Sequence, residues 1–250
     1  MTEKVETRLY IAGSLAEGGT AEIDAAQVHR LRHVLRLGAG AVVAAFNPGD
    51  GEFLCRVTEL GRNGGSLAVE AKLRAAEPEG DLWLLFAPIK RLRLDLVIEK
   101  GTELGVSAFV PVMTERTQSE RINRDRLVAQ AIAAAEQSER LSVPEIRPAE
   151  RMSQLLASWD RARRLVVCDE TGGGRPIADV LAEFKRNAPA AMLIGPEGGF
   201  TQSELDALHN LPFVSRVGLG PRVLRAETAA LAALAAFQAI AGDWRRTRPR

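Results

Sequence analysis

The sequence predicts an α/β protein in two parts: a small β-rich barrel carrying one helix, then a mostly parallel sheet covered by helices on both faces. Two patterns and the break between them carry that prediction. Before residue 75, short β-prone runs at 7–12, 41–46, 52–60 and 66–73 are separated by glycine-rich turn sequences at 47–51 and 61–65. After residue 81, apolar runs of strand length alternate with amphipathic stretches of helix length, the pattern of parallel strands joined by crossover helices. Between them, residues 75–80 carry Pro78 and Gly80 in polar surroundings and read as a linker, giving domains at 1–75 and 81–250.

In the first domain a single helix is expected from Asp24, as N-cap, to Leu37, stopped by Gly38. It would put Val28, Leu31, Val34 and Leu35 on one face and Arg30, Arg32, His33 and Arg36 around the rest. In the second, strands are expected at 82–87, 108–112, 165–168, 192–195 and 214–218. Helices should occupy 92–104, 124–140, 152–159, 177–186, 202–209 and 228–241. Thr201 with Glu204 three residues on is a capping box, and Glu227 is an acidic residue at the head of the last helix.

Composition narrows the function. With 46% hydrophobic and 26% charged residues the chain is ordinary for a globular protein, and a net charge of +1 means that any nucleic-acid surface is local. The polar first eight residues lack the apolar core of a secretory signal and no run reaches membrane-spanning length, so a cytoplasmic protein is expected. Cys55 and Cys168 each sit in an apolar strand and read as core residues. His29, His33 and His209, scattered and without cysteine support, give no reason to expect a metal.

The chemistry is carried by two loops. Leu193, Ile194, Gly195, Pro196, Glu197, Gly198 and Gly199 end one apolar strand; about twenty residues later Leu219, Gly220, Pro221, Arg222, Val223, Leu224, Arg225, Ala226, Glu227 and Thr228 end another. Each leads into helix-start chemistry, so bare backbone from two strand-to-helix loops meets at the carboxyl edge of a parallel sheet, where ligands lie. Neither a GxGxxG after the first strand of this domain nor a GxxxxGK[ST] occurs, which excludes the common nucleotide folds. Taken singly, either loop reads as a tight turn packing a helix on the sheet; as a pair they read as the wall of a compact cofactor site. Residues 169–176, acidic and glycine-rich, would close it.

These loops, with Lys100 to Val106, Glu136-Gln137-Ser138, Val143 to Pro148 and Arg8-Leu9-Tyr10, resemble the ribosomal RNA small subunit methyltransferase E family over nearly the whole chain. That family comprises SPOUT-class uridine-N3 methyltransferases. The resemblance implies a PUA-like β-barrel that docks RNA and a SPOUT domain whose carboxy-terminal strand and helix form a trefoil knot. It also implies S-adenosylmethionine held in that knot, a homodimer with each active site near the subunit interface, and small-subunit ribosomal RNA as substrate. It assigns Leu193, Gly195, Pro196, Gly198 and Gly199 to the first cofactor loop, and Leu219, Gly220, Val223, Leu224 and Thr228 to the second; Ile194 and Glu197 lie within the first.

Uridine N3 carries a proton that must leave, so the reaction needs alignment, relief of charge on the base and a proton acceptor. Arg222 and Arg225 are candidates to hold a phosphate or the uracil oxygens, and Glu227 or Glu197 to take the proton. Glu227 also has a purely structural reading as a helix-opening carboxylate. RNA-facing candidates are Arg8, Arg30, Arg32 and Arg36 in the first domain, then Lys90, Arg91 and Arg93, and Arg116 with Arg121, Arg124 and Arg126 in the second, while the basic tail 244–250 reads first as a solvated terminus. Two rivals stay open: a non-catalytic RNA-binding or assembly factor, and a SPOUT enzyme acting on another RNA.

Overall fold

The computed structural model describes residues 3–117, 122–186 and 188–244. Arg121 and nearly all of the basic tail therefore lie outside the described residues. The chain forms two compact units, one made of residues up to Pro78 together with Ala135–Val143, the other of Glu79–Ala134 and the chain from Pro144 onward.

In the first unit, β1 (Arg8–Tyr10), β2 (Thr20–Asp24), α1 (Ala25–His29), β3 (Val42–Asn47), β4 (Gly51–Leu60) and β5 (Gly64–Arg74) build one sheet in the order β1-β3-β4-β5-β2. Only the β1–β3 pair is parallel. The sheet curls, because side chains from all five strands meet in one core: Leu9, Ile23, Val43, Phe53, Cys55 and Leu67 among them. Alternation explains the curl, since one face of each strand is apolar and must be covered within the same small sheet. Register slips in the β4–β5 ladder bend it further. Strand β2 went unpredicted: Ala21 and Ile23 point inward and Glu22 outward, but alanine and glutamate are weak strand formers.

The helix differs from expectation in an instructive way. Asp24 caps it with a full capping box against Gln27, yet α1 ends at His29 and the backbone widens into a π-helical turn over Arg30–Val34. Leu35 N–H then donates to Arg30 O, five residues back, and Arg36 closes the turn at φ 57°. The extra residue per turn rotates the apolar stripe: Val28 and Leu31 stay buried, whereas Val34 is 66% exposed and Leu35 37%. Both leave the buried face that the sequence had given them.

The second unit contains β6 (Leu82–Phe86), α2 (Arg91–Glu103), β7 (Ala108–Met113), α3 (Arg124–Gln137), β8 (Glu145–Ile146), β9 (Glu150–Arg151), α4 (Met152–Ala157) and β10 (Arg164–Cys168). It continues with β11 (Arg175–Pro176), α5 (Ile177–Ala182), β12 (Ala190–Ile194), α6 (Gln202–His209), β13 (Val214–Gly218) and α7 (Ala226–Ile240). The last turn of α3 belongs with the first unit. The sheet order is β11-β13-β10-β12-β6-β7-β8, with β9 pairing beside β7, and every pair is parallel. Strands β10 and β12 run almost wholly buried because helices cover both faces, the condition under which strands read as continuous apolar runs. On one face Leu85, Leu165, Leu193, Leu205 and Phe213 share a core; on the other α7 packs against α2, α5 and β12. The three two-residue strands, β8, β9 and β11, are too short to leave a periodic trace in sequence. No helix is long and apolar enough to cross a membrane, and no metal-binding cluster occurs, both among the described residues.

Candidate functional site

Parallel strands β13, β10 and β12 lie side by side, so the loops leaving their carboxyl ends emerge at one edge. Residues 169–174 follow β10, residues 195–201 follow β12, and residues 219–225 follow β13. The three together enclose a cavity of about 440 Å3, within the range typical of small-molecule sites.

Backbone approach shapes this cavity. A side chain at Gly195 would fall 2.9 Å from the Phe200 ring, so glycine lets the first loop lie flat on that core aromatic. Gly199 has φ +68°, and a Cβ there would sit 1.8 Å from Glu170 Oε1. Glu170 thus reaches from the third loop across Gly199 and accepts from Phe200 N–H at 3.2 Å. Thr201 and Glu204 cap α6 reciprocally, which fixes where the first loop ends. Gly174 passes so close to β13 that a Cβ would lie 2.4 Å from the Val217 carbonyl carbon.

Charge is arranged asymmetrically around the wall. Asp169 is fully buried and pairs with Arg216 at 2.6 Å, while Thr171 donates its N–H and its hydroxyl to the other oxygen. Burial pushes the Asp169 carboxyl up, but the Thr171 bonds and the Arg216 guanidinium outweigh it and hold the group below the usual carboxylate range. Glu197, on the wall, is bonded by Arg93 of α2, and Arg93 Nε lies 3.5 Å from Glu227 on α7. Arg93 therefore joins the first loop to the helix that follows the second. Cys168 also lines the cavity; burial pushes its thiol up to about 12, so it stands there as a neutral, unreactive surface. Cys55, in the other unit, is pushed up to about 11 for the same reason.

Of the residues singled out from sequence, Ile194, Gly195, Pro196, Glu197, Gly199, Leu219, Gly220, Val223 and Leu224 line the cavity, as do Arg222 and Arg225. Four lie elsewhere. Leu193 points into the core beneath the sheet, one residue out of phase with Ile194. Gly198 lies under Arg116, whose Nη1 donates to its carbonyl at 2.7 Å. Thr228 is exposed on α7 and is not among the residues that line the cavity. Glu227 faces α2, with one oxygen toward Arg93 and the other buried without a hydrogen-bond partner among the described residues. The cavity also includes residues 168–172, among which Glu170 was named only as part of a closing loop.

The basic candidates divide. Arg8 is withdrawn as an RNA contact, because its donors are used inside the first unit. It pairs with Glu52 at 2.5 Å, donates to the carbonyls of Ala135, Glu136 and Arg140, and stacks 4.1 Å over Phe46. Arg32 is exposed with one donor on Leu60 O; Arg36 and Lys90 are exposed.

Residues 76–238 match the RNA methyltransferase domain, and residues 23–70 match the RNA methyltransferase PUA domain. A ribosomal RNA small subunit methyltransferase E from Rickettsia conorii is 34% identical over 229 residues, 91% of this chain and 93% of the relative. The chain belongs to the ribosomal RNA small subunit methyltransferase E family. The Bacillus subtilis methyltransferase E is 29% identical over 89% of this chain and 91% of its own length. The crystal structure of the methyltransferase E from Neisseria gonorrhoeae, bound to S-adenosyl methionine, superposes with a TM-score of 0.85 at 26% identity, covering 95% of this chain and 99% of that one. Both the curled sheet and the parallel sheet are thus those of methyltransferase E.

Proposed function

We propose that the chain binds S-adenosylmethionine in the cavity of the second unit and transfers its methyl group to N3 of a uridine in 16S ribosomal RNA of the small subunit. The observation that carries this reading is the convergence of three loops from adjacent strands on one glycine-lined cavity of about 440 Å3. The group fits it. The positive-φ glycines Gly172 and Gly220, with nothing within 4 Å of where a Cβ would stand, leave backbone open to a purine and a ribose, while Ile194, Leu219 and Leu224 offer apolar wall to the ring.

When bound, the cofactor supplies an electrophilic methyl on a sulfonium. The chain supplies the rest. Arg222 and Arg225 stand exposed on the wall with no ion-pair partner among the described residues, so their planar forks are available to uracil oxygens or a flanking phosphate. Of the two carboxylates considered, Glu197 is the one on the wall and is half exposed, which favours it as proton acceptor. Glu227, turned toward Arg93, fits a positioning role instead. Docking of RNA falls to the first domain, 1–75, with Arg32 and Arg36, and to Lys90 and Arg116 beside the chemistry.

The knot belongs to the same reading. Strand β13 lies between β10 and β11, so the loop joining those two crosses β13 at Gly174, and the chain beyond β13 returns to pack as α7 over β12. A homodimer is supported by Leu92, 84% exposed, and Leu96 one turn on along α2, an apolar pair suited to a second copy. A ribosomal substrate makes the cytoplasm the working compartment.

The test separates binding from transfer. Arg225→Ala should leave cofactor affinity by calorimetry within about threefold while lowering the rate of methyl transfer to small subunits from a strain lacking the gene by about a hundredfold, the loss of one charge-stabilising donor. Digested ribosomal RNA from that strain should lack one N3-methyluridine by mass spectrometry. An unchanged rate removes Arg225 from the reaction, and an unchanged nucleoside profile removes the substrate assignment.

A further inference from the structure

Three carboxylates and two guanidiniums stand on the cavity wall: Asp169, Glu170, Glu197, Arg222 and Arg225. Two of the carboxylates are neutralised, Asp169 by Arg216 and Glu197 by Arg93. Glu170 has no ion-pair partner among the described residues. The bond that holds it comes from a neutral donor, the Phe200 N–H, to Oε1. That bond fixes the carboxylate over Gly199, where any larger residue would displace it. The result is an exposed carboxylate held in place at the cavity by the Phe200 N–H and without a cationic partner among the described residues. A carboxylate held in place at the mouth of a cavity is open to a cation that brings its own donor hydrogens.

We propose that Glu170 is a specificity-determining residue that receives the ammonium group at the amino-acid end of the methyl donor. This rests on the reading that the donor occupies this cavity. Of the donor's two cationic centres, the ammonium carries N–H donors that match the remaining lone pairs of a carboxylate, whereas the sulfonium has none. The loop at 169–174 therefore selects the intact aminobutyrate chain, and the other two loops hold the nucleoside.

Calorimetry on the full chain with three ligands tests this: S-adenosylmethionine, with the sulfonium and the zwitterionic amino-acid end; S-adenosylhomocysteine, with the amino-acid end but no sulfonium; and 5′-methylthioadenosine, with neither. Glu170→Gln keeps an oxygen for the Phe200 N–H and removes the charge. It should weaken the first two ligands alike, by tenfold or more, and leave methylthioadenosine within twofold, which also shows that the variant cavity is folded. Weakening of the methionine compound alone would assign Glu170 to the sulfonium and overturn the proposal. Equal weakening of all three would reduce Glu170 to a loop latch, and no weakening would remove it from the site; either outcome overturns the proposal as well. A wild-type chain that binds none of the three would instead sink the reading of the cavity, and this proposal with it.

Discussion

Gly199→Ala isolates the contact that joins two of the three loops. At φ +68° an alanine adopts a left-handed backbone that costs roughly 1–2 kcal/mol. Its Cβ would also occupy the place of Glu170 Oε1, 1.8 Å away, so the carboxylate must swing out and release the Phe200 N–H. Losing a hydrogen bond to a charged group adds about 1.5 kcal/mol. The sum, roughly 3 kcal/mol, corresponds to a fall in Tm of about 6–12 °C for a domain of this size. The assay is a double-mutant cycle by urea unfolding with Glu170→Ala. In that background the side chain is already gone, so Gly199→Ala should cost only its backbone part, and the coupling should be about 1.5 kcal/mol. Equal costs in both backgrounds would refute the latch across Gly199, and a cost below about 0.5 kcal/mol in the parent would refute the strained backbone too.

Two more outcomes follow from charges buried in each unit. Because the Asp169 carboxyl is held below its ordinary value, its contribution to stability is complete above the unfolded pKa of about 3.9 and is lost as pH falls through the folded one. Asp169→Asn should therefore cost about 3 kcal/mol at pH 7 by urea unfolding, with the gap to wild type closing below pH 4; a gap constant down to pH 3 contradicts the pairing with Arg216. Arg8→Ala should destabilise the first unit by about 3 kcal/mol in thermal unfolding, since it removes the donors to one oxygen of Glu52 and to the carbonyls of Ala135, Glu136 and Arg140 while Arg74 keeps the other Glu52 oxygen paired, yet leave the salt dependence of RNA binding unchanged. A reduced salt slope with normal stability would return Arg8 to the RNA surface.

What was legible in the sequence follows from what each feature depends on. The central strands announced themselves because residues such as Val166, Val167, Met192 and Leu193 are buried on both faces, and that burial demands unbroken apolar runs. Helix starts were legible where a local side chain fixes them, as Asp24 and Thr201 do. The cavity loops were visible because glycines at strand ends serve close backbone approach. The π-helical turn that exposes Val34 and Leu35 was not, since it follows from the closure at Arg36 and not from a residue pattern. Nor could spacing show that Arg8 spends its charge on Glu52 and three carbonyls, or that Arg93 would meet Glu197 from 104 positions away. Glu170 stayed one acidic residue among several, because what sets it apart is that Asp169 and Glu197 have cations while it has none among the described residues.

The most direct measurement is a crystal structure of the full chain grown with S-adenosylmethionine. The account predicts the donor between residues 168–172, 194–199 and 218–226, with its amino-acid end toward Glu170. Donor bound anywhere else, or no binding by calorimetry at millimolar concentration, would contradict it.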